Sequence, residues 1–277
     1  MKLFNLNKVL SFFIILLLID CSIGGAIAWW REFYWDAIQK LHFESWLYLI
    51  GIFIALALLS CWVSGYKGYL ANLISLSMRT KLTRKALKLA NHGLIEGGSQ
   101  RVQEDCKNYP LLLISLIGGS FQALIMIVVF TGLLIYQLPL GYLIIPLIYA
   151  VIGTLISAKI AVPLINLNYV NQVVEAKFRQ VLSKMNYKHT HRNNFNLFKR
   201  SKYLQYFQSF YNQITIIVPH LILSSLLFSG KITFGVFMQV ASALVEVINN
   251  LSFLINSFGD INLFLSCRKR LKELHIL

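Results

Sequence analysis

Six stretches of this chain are each about twenty residues long or more and mostly apolar, the length a helix needs to cross the hydrocarbon core of a bilayer. They run approximately from Val9 to Trp30, Trp46 to Tyr66, Leu111 to Tyr136, Tyr142 to Ile165, Tyr206 to Phe228 and Phe234 to Phe264. Segments of this kind satisfy their own backbone hydrogen bonds in lipid as helices. Composition agrees. Apolar residues make up 57% of the 277 and charged residues 13%, against roughly 25% charged in a soluble chain, too few to cover a globule in water. The expected fold is an all-α membrane protein, a single transmembrane domain over residues 1–277 with six spans in contact with the lipid bilayer.

Charge sets the expected orientation. Lys and Arg number 26 against 11 Asp and Glu, for a net charge of +15. A soluble protein with that excess would suggest nucleic acid; in a membrane protein placement matters more, and no nucleic-acid partner is expected. Of the 26 basic residues, 23 lie at the two ends, in the long connection 67–110 or in the region from Lys159 to Lys202, leaving Arg31, Lys40 and Lys231 for the short connections 31–45, 137–141 and 229–233. Basic residues are retained on the cytoplasmic side, so both termini and both long connections are expected there. The first span has a basic start and an Ala26-Ile27-Ala28 string, features shared with signal peptides. Cleavage would leave five helices and an outer N-terminus, so the span is read as retained.

The long connections read as helices. Leu70, Ile74, Leu76, Leu82, Leu87 and Leu89 recur at helical spacing with no proline between Gly65 and Leu94, so the second span should continue past the membrane until His92-Gly93 and Gly97-Gly98 break it. Asn171 to Met185 reads as a similar extension, ending in polar Asn186 to Asn196.

Little in the chain suggests intrinsic catalysis. The nearest approach to a phosphate-binding loop, Ser225 to Ile232, lacks the first glycine and has Ile232 where Ser or Thr should follow Lys231. Cys21, Cys61, Cys106 and Cys267 are far apart and read as buried hydrophobes, and Lys188-His189-Thr190-His191 as a solvated loop. No cofactor, metal or nucleotide-binding domain is expected. The polar groups inside the spans carry more information, because an ionisable residue in hydrocarbon is costly and faces a cavity or a partner. Asp20, His220, Glu246 and Asp260 are such residues. At 100° per residue Gln239, Glu246, Asn249, Asn250 and Asn256 fall near one face of the sixth span, a pattern suited to lining water or a symmetry axis. Glu246 lies mid-span, where a carboxylate could take up and release a proton.

The string Ile95-Glu96-Gly97-Gly98-Ser99-Gln100-Arg101-Val102-Gln103-Glu104-Asp105 closely resembles the motif of the SbmA/BacA family of bacterial peptide transporters, and resembles more loosely the NPDQR-type string of their ABC relatives, the peroxisomal fatty-acyl exporter class. Three further strings keep the family's order: Trp30 through Asp36-Ala37-Ile38-Gln39, Val174-Glu175-Ala176-Lys177-Phe178-Arg179, and Gly230 to Leu271 with Met238-Gln239 and Lys269-Arg270-Leu271. The resemblance implies the transmembrane domain of an ABC-exporter-like half-transporter, working as a homodimer in the bacterial inner membrane and moving peptides or related amphipathic solutes on the proton gradient. It implies transport-cycle roles for Glu96, Gln100, Arg101, Glu104, Asp105, Glu175 and Arg179, with Arg101 bridging Glu104, Asp105 or Glu175. Asp20, Gln239, Glu246, Asn249 and Asn256 are the cavity-lining candidates. Two departures stand out. The peptide transporters have an additional hydrophobic segment before the first shared helix, and a glutamate where this chain has Leu113-Ile114-Ser115. The fused ABC relatives continue into an ATPase domain beyond the position of Leu277. The alternatives are therefore a membrane subunit served by a separate ATPase chain, or a shortened descendant that no longer transports.

Overall fold

The computed structural model describes residues 6–91, 99–138, 141, 144–145, 147–160, 162–163 and 191–276. The described elements are helical: α1 (Leu6–Gln39), α2 (Phe43–Asn91), α3 (Ser99–Gln137), α4 (Leu147–Ile160), α5 (His191–Phe228), α6 (Phe234–Leu251), α7 (Phe253–Asn256) and α8 (Phe258–Glu273). Among them α1, α2, α3, α5 and α6 are long and apolar enough to cross a membrane. Pro110 and Pro219 lie inside α3 and α5 without ending them.

Several boundaries differ from those expected. The first connection, expected over 31–45, shrinks to three residues, because α1 continues to Gln39. It closes with Leu41 in the left-handed region (φ 55°), where the His42 N–H bonds the Ala37 carbonyl and the Leu41 N–H bonds that of Ile38, both at 3.0 Å. This is the double bond of a Schellman turn. Gly230 (φ 71°) closes α5 in the same way. The second span does continue as helix, to Asn91. Its expected break, like the extension 171–185, falls outside the described residues. Arg192 to Asn196, expected to be loop, belong to the first turns of α5. The fourth span is described as helix over Leu147–Ile160.

The sixth span is not one helix. α6 ends at Leu251, and short α7 separates it from α8. Ser252 Oγ lies 2.6 Å from the Tyr211 hydroxyl, and the Gln208 amide donates to the Ile255 carbonyl (2.5 Å). The helical phase that joined Asn256 to the α6 face is therefore interrupted.

The chain divides into two compact units. The first comprises Met1–Leu70, Gly118–Gly153 and Phe210–Phe253. Its core is centred on α6, whose Phe237, Val240, Leu244 and Val247 pack with Ala28 of α1, Leu134 of α3 and Leu223 of α5. α1 and α6 touch closely because position 235 is glycine: a Cβ there would collide with an Asp36 carboxylate oxygen and the Glu32 carbonyl oxygen. The second unit comprises Ala71–Ile117, Thr154–Ser209 and Leu254–Leu277. Its core joins Ala86 of α2, Cys106 of α3, and Leu271 and Ile276 around the end of α8. His275 (φ 56°) makes a third Schellman turn there, and the apolar pair that accompanies such a turn is Leu271 with Ile276.

Gly235→Ala is expected to cost about 1–3 kcal/mol, the range for forcing atoms into a packed site. Gly51 on α2, with nothing within 4 Å of its would-be Cβ, is the control: Gly51→Ala should be neutral or stabilising by up to about 1 kcal/mol. Thermal unfolding of the detergent-solubilised protein checks both, and equal midpoints for the two variants would contradict the close α1–α6 contact.

Candidate functional site

In the first unit, polar groups gather where α1, α3 and α6 meet. The helix of α1 carries on past the apolar run because no breaker interrupts Arg31 to Gln39. It is held to α2 by the Trp30 indole, which donates to the Leu49 carbonyl (2.7 Å) and stacks on Tyr34. The last turns of α1 then satisfy the exposed N–H groups that begin α6. The Phe234 N–H donates to Gln39 Oε1 (3.2 Å), that of Gly235 to Asp36 Oδ1 (2.8 Å) and that of Val236 to Thr233 Oγ1 (3.2 Å). Three of the orphan donors of a helix N-terminus are thereby paired, two of them by another helix. These are Asp36 and Gln39 of the string from Trp30 through Gln39 that takes part in the resemblance.

One turn deeper, the Gln137 amide of α3 donates to Gln239 Oε1 (3.2 Å) and, at a longer 3.4 Å, to Glu32 Oε2. Gln239 is fully buried, and its own Nε2 has no hydrogen-bond partner among the described residues. Glu246, farther along α6, is half-buried and interacts electrostatically with Arg31 of α1. Arg31 therefore belongs to the helix and to this polar cluster, not to an outer connection as its place in the sequence suggested.

A second polar group joins α1, α2 and α3. Lys67 Nζ lies 2.5 Å from Asp20 Oδ2 and donates to Gln122 Oε1 (3.1 Å), while Gln122 Nε2 donates to the same Asp20 Oδ2 (3.1 Å). The side chains of Lys67 and Asp20 retain 19% and 14% of their exposure. A third group centres on buried Tyr211 of α5. Its hydroxyl lies 2.6 Å from Ser252 Oγ, and its ring stacks on Tyr149 of α4 with centroids 4.7 Å apart.

In the second unit, Asp105 of α3 and Arg270 of α8 form a buried two-pronged ion pair. Arg270 Nε donates to Oδ2 (2.8 Å) and Nη2 to Oδ1, with Cys267 Sγ 3.3 Å from Nη2. Burial pulls the Arg270 guanidinium down, but the hydrogen bond and charge of Asp105 outweigh it and leave the group above its ordinary value. Burial, then Asp105, pushes the Cys267 thiol up to about 11, which makes it a poor nucleophile at neutral pH.

The sequence-expected residues thus separate into several places. Asp105 lies in the ion pair, with Arg270 as its partner. Glu104 is exposed on the same helix, its charge acting on Arg270 and Cys267. Glu96, Glu175 and Arg179 lie outside the described residues. Gln100 and Arg101 lie in the first turn of α3, their side chains outside the described part. Asn249 is half-buried, and the Asn250 amide donates to the Glu246 carbonyl (2.7 Å). Asn256 is exposed on α7 and Asp260 on α8. His220 bonds the Ile216 carbonyl through Nδ1 (2.7 Å) and sits edge-on to Phe237. Sequence reasoning did not single out Lys67, Gln122, Gln137 or Arg31. For Lys67 a signal existed: it directly follows the apolar run and stands apart from the Arg79–Lys88 cluster of basic residues.

A model of the SbmA/BacA-like family matches residues 8–276. Among curated proteins, the chain is 25% identical over 239 residues to ABC transporter D family member 2, chloroplastic, of Arabidopsis thaliana, covering 75% of this chain and 34% of that protein. It is 26% identical over 306 residues to an uncharacterised ABC transporter ATP-binding protein of Synechocystis, covering 98% and 44%. To the inner membrane ABC transporter ATP-binding protein YddA of Escherichia coli it is 25% identical over 297 residues, covering 90% and 53%. The chain thus spans between a third and about half the length of these relatives.

Asp105→Ala should cost about 3–5 kcal/mol, because it leaves the Arg270 charge buried without its partner. The double variant Asp105→Leu, Arg270→Met removes both charges and should recover most of that loss. Thermal unfolding of both proteins in detergent checks this; equal destabilisation by the single and double changes would contradict a buried ion pair.

Proposed function

The chain belongs to the SbmA/BacA-like family of membrane transporters, and from that premise we propose that it moves peptides or related amphipathic solutes across the bacterial inner membrane on the proton gradient. The observation that carries this reading is the family match over nearly the whole chain, joined to polar groups set among the apolar helices of the first unit. A helix that only filled a bilayer would have no use for Arg31, Glu32 and Glu246 beside one another's helices, since charge in hydrocarbon is costly.

In this reading the working unit is a homodimer of half-transporters with both termini in the cytoplasm. Glu246 and Asn249 of α6 line the solute path, and Gln239 is closed against Gln137 in the conformation described. Glu246, with Arg31 as its counter-charge, contacts solute. Glu96, Gln100, Arg101, Glu104, Asp105, Glu175 and Arg179 serve the cytoplasmic side of the transport cycle. Asp105 of that group, through its ion pair with Arg270, latches α3 to α8. The exposed apolar face of α2, with Leu47, Leu58 and Trp62, meets lipid.

A second reading has its own support. The three relatives are named as ABC transporters or their ATP-binding proteins, so a separate ATPase chain could drive the same membrane subunit.

Purified protein in liposomes separates the two. Under an imposed pH gradient and without ATP, a fluorescein-labelled amphipathic peptide should accumulate, and dissipating the gradient should abolish accumulation. Glu246→Gln should weaken uptake at low peptide concentration. Accumulation only when ATP and an added ATPase chain are present would replace the proton-driven reading with the second.

A further inference from the structure

The Asp20–Lys67–Gln122 group is arranged as more than a brace between three helices. Both contacts on Asp20 converge on Oδ2, so Oδ1 takes no hydrogen bond from the described residues. Lys67 has a second acceptor in Gln122 Oε1. If Asp20 lost its charge, Lys67 would keep Gln122 Oε1 at 3.1 Å as a hydrogen-bond acceptor. Gln122 offers its N–H to the carboxylate and its oxygen to the ammonium at once, so it can keep both side chains in place through a change of charge. The titratable and charged groups facing Asp20 are Lys67 from α2 and the Cys21 thiol from its own helix; α3 faces it with neutral Gln122.

We propose that Asp20 is the proton-exchange residue of the transport cycle, with Lys67 as its internal counter-ion and Gln122 as a positioning residue. This rests on the proton-driven reading above and names the residue that would serve it. Asp20 takes one proton from water on one side of the membrane and becomes a neutral carboxyl. Lys67 keeps its own proton and transfers its hydrogen bonding to Gln122. On the other side the carboxyl returns the proton to water and the ion pair re-forms. Only the O–H bond of the carboxyl forms and breaks. Opening and closing of the pair changes how α1 is tied to α2 and α3, which links proton binding to helix position.

The test has two arms. Infrared spectra of the purified protein, recorded as pH is lowered, should show a carbonyl-stretch component of a protonated carboxyl that is present in the wild type and missing from Asp20→Asn under the same conditions. Superimposable carbonyl-stretch regions for the two proteins across the pH series would overturn the proposal. In liposomes, Asp20→Asn should lose accumulation of the fluorescein-labelled amphipathic peptide under a pH gradient. It should still exchange labelled for unlabelled peptide across the membrane when no gradient is applied. The double variant Asp20→Asn, Lys67→Gln, which leaves neither charge unpaired, should behave the same way and guards against misfolding of the single variant. Normal gradient-driven accumulation in either variant, or loss of exchange together with accumulation in both, would assign Asp20 a merely structural role. Failure of the wild-type protein to accumulate peptide under the gradient would overturn the proton-driven reading, while the infrared arm decides on Asp20 by itself.

Discussion

Hydrocarbon offers no water to a polar group, so a polar side chain within a span must find its partner on another helix or face a path that admits water. That constraint organises the first unit. Asp20 meets Lys67 and Gln122, Glu32 meets Gln137, and Arg31 and Glu246 act on each other. α1 takes part in all three sets and also satisfies two N–H groups at the start of α6. It thus supplies polar partners to α2, α3 and α6, and the absence of a side chain at Gly235 lets α6 lie directly against it. Gln239 is the exception, with a buried amide nitrogen that has no partner among the described residues.

The helical class and the approximate places of the apolar spans were legible in the sequence, because length and lack of charge decide them without tertiary information. The extension of α2 was legible too, since leucines recur and no proline interrupts them. The ends of the helices were less so. α1 runs on to Gln39 because Leu41 adopts a left-handed conformation usually left to glycine, which no residue type announces. The sixth span is interrupted at Ser252 and Ser257, where a distant side chain, Gln208, helps by taking the Ile255 carbonyl. Periodicity along one helix cannot show such a partner. The same limit explains the polar residues. Asp20 and Glu246 stood out as carboxylates in apolar runs, whereas Lys67 and Arg31 lay at the edges of those runs and read as ordinary flanking charges. Their roles came from the facing helix.

The second unit gives part of the family motif a physical meaning. Asp105 closes the motif string, and Arg270 lies in Lys269-Arg270-Leu271 near the end of the chain. The two-pronged pair, set in apolar surroundings of Ala86, Cys106, Leu271 and Ile276, holds the start of α3 against the end of α8. A buried pair of this kind contributes little net stability against an apolar replacement but fixes which residues meet. Two distant strings of the resemblance are thereby brought into one contact.

The central claim is that the polar face of α6 lines a path opened alternately to the two sides of the membrane. Accessibility at Asn249 tests it most directly. Asn249→Cys, made in a Cys61→Ala background because Cys61 is the exposed cysteine, would be treated in liposomes with a membrane-impermeant maleimide applied to either face, with and without a pH gradient. The account predicts modification from both faces, with the balance between them shifting when the gradient is imposed. Modification from one face only, unchanged by the gradient, would contradict it.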